Sequence, residues 1–236
     1  RISRLAFPDG KLLDLAYDYT GNVASMTYPG GLVVSYTHDG LGRPTSVSFA
    51  GQSLSLTYDA SGQLVGETRS NGVVSAYGYD APGRLISLSH KKGATVIAEL
   101  AYTRDVAGQI IRASGVWPLS PRLQGKSATA VYDNADQIGT WQSDAYHYNT
   151  VGNLTAIRGA KTFDAAYDNE NRPTSLSLGG KTRTYTYDGL GNRVRVQVGT
   201  TTRNLHHDHL GRLVFETDGS GQVTVNYLYA GARLVA

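Results

Sequence analysis

The chain has 236 residues, of which 40% are hydrophobic and 17% are charged, with a formal net charge of +3 at pH 7. This small charge gives little support for a nucleic-acid partner, and no apolar run approaches the roughly 18 residues that span a bilayer as a helix. Cysteine is absent, so a disulfide framework is excluded. With 28 glycines and no persistent helical period, the sequence predicts an all-β protein.

One short motif recurs along the chain at intervals of about twenty residues. An acidic or amide residue is followed three positions later by a turn residue, and then by Arg, Gln or Asn. Self-similarity at such a period predicts a repeat architecture. The copies begin at Asp18, Asp39, Asp59, Asp80, Asp105, Asp133, Asn149, Asp168, Asp188 and Asp208.

The motif has the chemistry of a turn. Its first carboxylate can accept hydrogen bonds from backbone N–H groups two residues on, and its fourth residue must accept a left-handed backbone. Asp136 and Asn171 replace glycine in two copies, and both residue types tolerate that conformation. We therefore expect a type I turn followed by a bulge. The glycines are Gly21, Gly42, Gly62, Gly83, Gly108, Gly152, Gly191 and Gly211.

The flanks of each motif are typical of strands. Side chains alternate with period two, so the residues one and three positions before the motif share a face, as with Leu56 and Tyr58. Tyrosine occupies the nearer position in seven copies, at Tyr17, Tyr58, Tyr79, Tyr132, Tyr148, Tyr167 and Tyr187.

A second class of turn lies between the motifs. Glycine pairs of this kind favour tight hairpins, so one repeat is strand, motif turn, strand, tight turn. The copies together predict roughly twenty antiparallel strands in one curved or spiral sheet. The expected tight turns are Pro29-Gly30-Gly31, Asn71-Gly72, Lys92-Gly93, Gly179-Gly180 and Asp218-Gly219.

The array is expected to be a single domain over residues 1–236 with one irregular insertion at 113–129. Pro118 and Pro121 exclude a central strand there. The insertion is predicted to cross a sheet face, with Trp117 as its anchor.

The side chains after the turn glycine share a planar hydrogen-bonding group, so each is expected to reach a neighbouring carbonyl or a tyrosine ring. An anion-binding stripe is the weaker alternative, because only four copies carry charge there. A metal or acid–base role for the motif aspartates is disfavoured, because a catalyst does not need ten identical centres. The charged residues are Arg43, Arg84, Arg172 and Arg212.

The segment His206-His207-Asp208-His209 is the most metal-like cluster. His207 and His209 could supply two zinc ligands, but His207 also stands where tyrosine usually does, as does His38. We favour a structural role for these rings. No nucleophile elbow, His-Glu-x-x-His pair or phosphate loop is present, so no enzyme activity and no cofactor are predicted.

The pattern resembles the YD repeat of the Rhs family over nearly the whole chain, from Leu13 to Val235. Copies such as Tyr79-Asp80-Ala81-Pro82-Gly83-Arg84-Leu85 carry the likeness. The resemblance implies a β-sheet that winds into a hollow shell, which in bacterial members encloses a C-terminal toxin and in teneurins belongs to an adhesion receptor. Complete shells need more repeats, and the Asp-Pro cleavage signature is absent here. No catalytic residue is therefore carried over.

Two functions compete. The first is a segment of a secreted or cell-surface shell, with the remainder of a longer polypeptide as its partner, since both ends look cut at Arg1 and Ala236. The second is a glycan-binding platform formed by tyrosines with Trp117 and Trp141. Stacked, mutually packed tyrosine rings would favour the wall, whereas isolated exposed rings would favour the platform.

Overall fold

The computed structural model describes residues 1–116 and 129–236. They divide into two compact units, 1–116 with Leu228–Ala236, and 129–227. Each unit is built on one antiparallel sheet in which every strand pairs with its sequence neighbours. The described residues contain no helix, and so none that is long and apolar enough to cross a membrane. The all-β prediction is confirmed, whereas the single-domain prediction stays a prediction.

The first unit contains an 11-stranded sheet whose strand order follows the chain. Its strands are β1 (Arg4–Ala6), β2 (Leu12–Tyr17), β3 (Val23–Thr27), β4 (Val33–His38), β5 (Pro44–Phe49), β6 (Gln52–Tyr58), β7 (Leu64–Arg69), β8 (Val73–Tyr79), β9 (Leu85–Lys92), β10 (Thr95–Arg104) and β11 (Ile110–Val116).

The second unit also contains an 11-stranded sheet in chain order. Its strands are β12 (Ala130–Tyr132), β13 (Ile138–Trp141), β14 (Asp144–Tyr148), β15 (Leu154–Arg158), β16 (Phe163–Tyr167), β17 (Pro173–Leu178), β18 (Lys181–Tyr187), β19 (Arg193–Val198), β20 (Thr201–His207), β21 (Leu213–Asp218) and β22 (Val223–Asn226). A separate hairpin of β23 (Tyr229–Ala230) and β24 (Arg233–Leu234) belongs to the first unit.

Every predicted motif turn is followed by the expected bulge. Tyr58 pairs with Leu64 while Thr57 pairs with Gly66, so one residue of the returning strand is left over. The same register shift occurs just before the first motif residue in all ten copies. The sequence prediction of a turn with a bulge is therefore confirmed.

The fourth motif residue has a left-handed backbone in every copy. The eight glycines have φ between 76° and 94°, and the replacements Asp136 and Asn171 have φ of 57° and 62°. Because an L side chain rarely adopts this conformation, the restriction to Gly, Asn and Asp follows from backbone sterics.

The tight turns differ in part from the prediction. Gly179-Gly180 forms a two-residue hairpin between paired Leu178 and Lys181, as expected. Lys92-Gly93 was misplaced by one residue, because Lys92 pairs with Thr95 and the loop is Gly93-Ala94.

The interpretation of Asp218-Gly219 as a tight turn was wrong. Asp218 heads an eleventh motif turn, in which its N–H donates to the Gln222 carbonyl at 2.9 Å and Gly221 donates back at 3.1 Å. Its side chain accepts from Gln222 N–H as in the other copies. The copy was missed because it follows Asp208 by only half a repeat. It therefore lies at the other end of the strands from the ten predicted motif turns.

The predicted start of the insertion at Ala113 was also wrong. Strand β11 continues to Val116, which pairs with Glu99 of the ten-residue strand β10. Nothing before Pro118 prevents strand pairing, so the long neighbour carries β11 past Ala113. The rest of the predicted insertion, including Trp117, lies outside the described residues apart from Thr129.

One face of the first sheet is the apolar core of its unit. The buried side chains of the even-numbered strands alternate in phase with the residue before each motif turn, so they share its face. They include Leu13, Val34, Leu54, Leu56, Ala98 and Leu100, and the hairpin residues Leu228, Ala230 and Val235 are buried in the same unit.

The two-residue loop at Ala50-Gly51 provides a test of the backbone argument. Ala50 has φ of 44° in a hairpin where both residues are left-handed. We expect Ala50→Gly to raise the free energy of unfolding by about 1 kcal/mol, because it removes a strained Cβ. The change is measured by urea denaturation. Ala60→Gly, at a motif-turn position without positive φ, is the control and should lower stability slightly. Equal effects of both substitutions would contradict the explanation.

Candidate functional site: the stacked motif turns

The first motif residue closes its own turn. Asp39 accepts hydrogen bonds on Oδ1 from the N–H groups of Leu41 at 2.9 Å and Arg43 at 3.0 Å. Its Oδ2 accepts from Arg43 Nε at 2.7 Å. The bond to the backbone N–H four residues on recurs in all ten copies. The Arg–Asp fork recurs at 2.7 Å in Asp80–Arg84, Asp168–Arg172 and Asp208–Arg212.

These hydrogen bonds favour the ionised carboxylates. The hydrogen bond from the Thr20 hydroxyl, with backbone N–H donors, lowers the pKa of Asp18 to about 2. For Asp39 the largest cause of the lowered pKa is the Arg43 backbone N–H. Burial opposes the shift at Asp80, but the Arg84 donors still hold its pKa below the usual value. Asp18, Asp39 and Asp80 are thus ionised hydrogen-bond acceptors at neutral pH.

In six copies the tyrosine before the motif reaches back along the array. The Tyr58 hydroxyl donates to the Pro44 carbonyl at 2.9 Å, one residue beyond the preceding motif turn. Arg104 replaces the tyrosine before Asp105 and donates to the equivalent carbonyl, that of Leu85, at 3.1 Å. The exception among the tyrosines is Tyr132, which is 56% exposed. The same bond is made by Tyr17, Tyr79, Tyr148, Tyr167 and Tyr187.

The side chain after the turn glycine points forward, over the next repeat. Gln63 Nε2 donates to the Gly83 carbonyl at 2.9 Å, and a Cβ on Gly83 would lie 3.0 Å from that nitrogen. The Arg43 guanidinium lies 4.6 Å from the centroid of the Tyr58 ring. These two contacts match the sequence prediction, but Asn22 and Asn192 donate within their own turns, to the Thr20 hydroxyl at 2.9 Å and the Asp188 carboxylate at 3.0 Å. The fork between each arginine and its own aspartate was missed. Glycine is therefore favoured at the turn for two reasons, backbone conformation and space.

The non-glycine copy at Asn171 has a compensating neighbour. The residue that covers it is the short Asn153, whose Nδ2 donates to Asn171 Oδ1 at 2.8 Å. In the copies with glycine the covering residue can be larger, as where Arg172 covers Gly191. The motif turns lie side by side at one end of the strands, and each contacts the next one along the sheet. We call this row the ladder of turns.

The histidine segment does not assemble a metal site among the residues that the structure describes, where no three His, Asp or Glu side chains are grouped suitably. His206 is buried and stacks on Phe215 with ring centroids 4.1 Å apart. His207 occupies the tyrosine position, and burial lowers its pKa. His209 is exposed in the turn.

The tryptophans proposed for glycan contact give no platform within the described part of the chain. Trp141 ends β13 and is 40% exposed, whereas Trp117 lies outside the described residues. The motif tyrosines, apart from Tyr132, lie between repeats with their hydroxyls directed to carbonyls. This arrangement favours the wall over the platform.

Two buried acids were missed from the sequence. Glu67 and Glu216 are 2% and 1% exposed, and each lies eight residues after a motif aspartate. Arg203 donates to Glu216 through Nε at 2.7 Å and Nη2 at 2.6 Å, and Tyr227 donates to it at 2.6 Å. The available signal was a charge at a repeat position that is apolar in the other copies, namely Met26, Val47, Leu88, Ala113, Trp141, Ile157, Leu176 and Val196.

Comparison with known proteins places these repeats in context. Residues 17–53 and 58–95, about a third of the chain, match the RHS Repeat family model. No curated protein matches the sequence.

Solved structures share the fold. The chain aligns with the Photorhabdus luminescens Tc holotoxin pore at 16% identity and a TM-score of 0.54, covering 94% of this chain and 18% of that one. The TcdB2-TccC3-Cdc42 structure aligns at 15% identity and a TM-score of 0.53, covering 93% of this chain and 18% of that one. The chain therefore spans about 18% of the length of these relatives.

The hydrogen-bonded motif carboxylates predict that the fold loses stability in acid. The folded pKa of Asp18 is about 2 against an ordinary value of 3.8, so its stabilising effect is complete above pH 3.8 and is lost as the pH falls through 2. NMR titration should give an Asp18 pKa of about 2 and a higher value in Thr20→Ala, which removes the largest cause. An unchanged pKa in Thr20→Ala would contradict the assignment.

The pairing of Asn153 with Asn171 predicts a specific coupling. Asn153→Arg should destabilise the sheet by about 1 kcal/mol, because a guanidinium does not fit over an asparagine side chain. The same change should be tolerated when combined with Asn171→Gly, with a coupling of about 1 kcal/mol in a double-mutant cycle of urea denaturation. The turn that contains Asn153 begins with the uncharged Asn149 in the parent chain, both single variants and the double variant. Any cost of placing an arginine beside this uncharged residue therefore cancels from the coupling energy. Additive effects would refute the nearest-neighbour interpretation.

Proposed function

We propose that this chain, which belongs to the Rhs/YD-repeat family, is a segment of a protein wall that encloses or presents an effector domain of a longer polypeptide. The observation that carries the proposal is the use of the signature groups. The motif carboxylates, arginines and tyrosine hydroxyls bind the chain's own turns and carbonyls. Within the described residues these groups, apart from the exposed Tyr132, serve the continuity of the sheet.

The repeat geometry supports a wall that extends by addition of identical units. Tyr58 bonds its repeat backward and Gln63 bonds it forward, and the backward tyrosine bond recurs at Tyr79, Tyr148, Tyr167 and Tyr187. Stability in such an array comes from neighbouring repeats, so it can be lengthened without redesign. A long β-sheet is a suitable material for a container because its backbone groups are paired within the layer.

The identity of the similar structures supports the same role at a coarser level. One of them is the Photorhabdus luminescens Tc holotoxin pore, and another is the TcdB2-TccC3-Cdc42 complex. By this analogy the partner of the array is the rest of its own polypeptide, including further repeats and a C-terminal effector, and the location is outside the producing cell. The proposal assigns no catalytic group and no cofactor to the array.

The glycan-binding alternative has less support. It requires flat aromatic faces in solvent, whereas the Tyr58 and Tyr187 rings are covered by guanidinium groups at 4.6 and 4.7 Å. Exposed aromatic side chains occur at Tyr19, Tyr132 and Trp141, but they lie outside the repeated contacts between tyrosine hydroxyls and carbonyls.

The proposal is tested on the longer polypeptide that contains the array. We expect its C-terminal domain to resist added protease while the array is intact. Gly62→Val with Gly83→Val should make that domain sensitive, because valine neither adopts φ of 84° and 86° nor fits beneath the covering side chains.

Gly40→Val is the matched control. Gly40 lies in a motif turn without positive φ and with open space at its Cβ, and Val106 occupies the same position after Asp105. Protection should be unchanged in this variant. If the C-terminal domain is digested equally fast with and without the array, the enclosing role is refuted.

A further inference from the structure

The hairpin strands β23 and β24 belong to neither of the two 11-stranded sheets. They form their own two-stranded sheet, closed by hydrogen bonds from Leu228 N–H to the Ala236 carbonyl at 2.7 Å and from Val235 N–H to the Leu228 carbonyl at 2.8 Å. Nevertheless Leu228 and Val235 are only 3% and 7% exposed. The hairpin is therefore buried by packing within the first unit, without continuing the β-ladder.

The site that receives the hairpin is marked by Glu67. This residue of β7 lies opposite Leu56 in the register, on the apolar face of the sheet. A buried carboxylate is costly unless it is paired, because burial removes its hydration. Eight of the nine other copies place an apolar residue at this position. The sheet supplies one cation, Arg69 of the same strand, but its Nη2 lies 3.7 Å from Glu67 Oε2, beyond hydrogen-bond distance.

The hairpin supplies the compensating groups. Arg233 forms an ion pair with Glu67 through Nη1, and its Nη2 donates to the Tyr77 hydroxyl at 3.0 Å. Arg69, two residues after Glu67, donates through Nη1 to the Val235 carbonyl at 3.0 Å. Sheet and hairpin thus each contribute an arginine that binds the other, across 166 residues of sequence in the case of Arg69 and Val235.

We infer that the face of β6–β8 around Glu67 is a docking site for an arginine-bearing β-hairpin, and that Leu228–Ala236 is its resident occupant, held as a separable latch. The site selects its occupant by charge, since Glu67 requires a cation that can reach into the apolar face. The latch can open alone, because the strands beneath it keep all their ladder pairings when it leaves.

The pair of Arg203 and Glu216 provides an internal comparison. Glu216 occupies the same repeat position as Glu67 and is equally buried, but its arginine lies on the neighbouring strand β20, only 13 residues away. Loss of that pair disturbs the second unit and releases no distant segment. The two acids therefore separate docking from a general effect of buried charge.

The experiment is hydrogen exchange of the full chain, combined with urea denaturation of its sheets. In Glu67→Leu the amides of Leu228 and Val235 should exchange at least about tenfold faster, a factor that corresponds to about 1.4 kcal/mol. The same variant should leave the unfolding midpoint of the first sheet unchanged or higher, because leucine suits this position in other repeats. Opposite directions for latch and sheet are the signature of docking.

Two further variants complete the test. Arg233→Gln, on the hairpin side, should accelerate exchange of the same amides. The matched control Arg203→Gln removes the cation of Glu216 but not the hydrogen bond from Tyr227, so it should leave these amides unchanged. If Glu67→Leu does not fold, Arg233→Gln alone decides the matter through the hairpin amides. The inference is overturned if hairpin exchange is unaffected by Arg233→Gln, or if hairpin and sheet amides lose protection by the same factor.

Discussion

The left-handed residue at the fourth position of the motif turn is the constraint on which the structure depends. It sets the bulge, because the returning strand must gain a residue before pairing resumes, as at Tyr58 and Leu64. It also brings the backbone N–H of the following residue against the first carboxylate, 2.9 Å away in the case of Gln63 and Asp59. The Asp and the bulge are therefore consequences of one backbone conformation, repeated along one edge of each sheet.

Neighbouring repeats are held together by a small set of side-chain contacts. A tyrosine hydroxyl reaches one repeat back and a planar side chain lies one repeat forward, as Tyr58 and Gln63 illustrate. Such coupling gives stability that is nearly a sum of nearest-neighbour terms. It also explains how Asn171 is tolerated, since the short Asn153 covers it.

The sequence was sufficient to predict what is local. The period, the turn, the bulge and the strands follow from spacing and from the conformational limits of Gly, Asn and Asp, all within a few residues. Tertiary features were not predictable in this way. The Arg233–Glu67 pair joins residues that are far apart in the chain, and the stacking of His206 on Phe215 depends on strand register. The turn at Asp218 was missed because it breaks the period, and the length of β11 because its partner β10 is long.

The ladder of contacts has a direction, and this has a consequence for assembly. At a break in the array, the upstream piece ends with a planar side chain that has no turn glycine to cover. The downstream piece begins with an uncovered turn glycine and with a tyrosine hydroxyl whose acceptor carbonyl has been removed. The two broken surfaces complement each other but neither complements itself. Joining of such pieces is therefore heterologous, producing open-ended head-to-tail chains in preference to twofold dimers. Because these contacts have a fixed direction along the chain, a polypeptide being synthesised could pack each new hairpin onto the previous one.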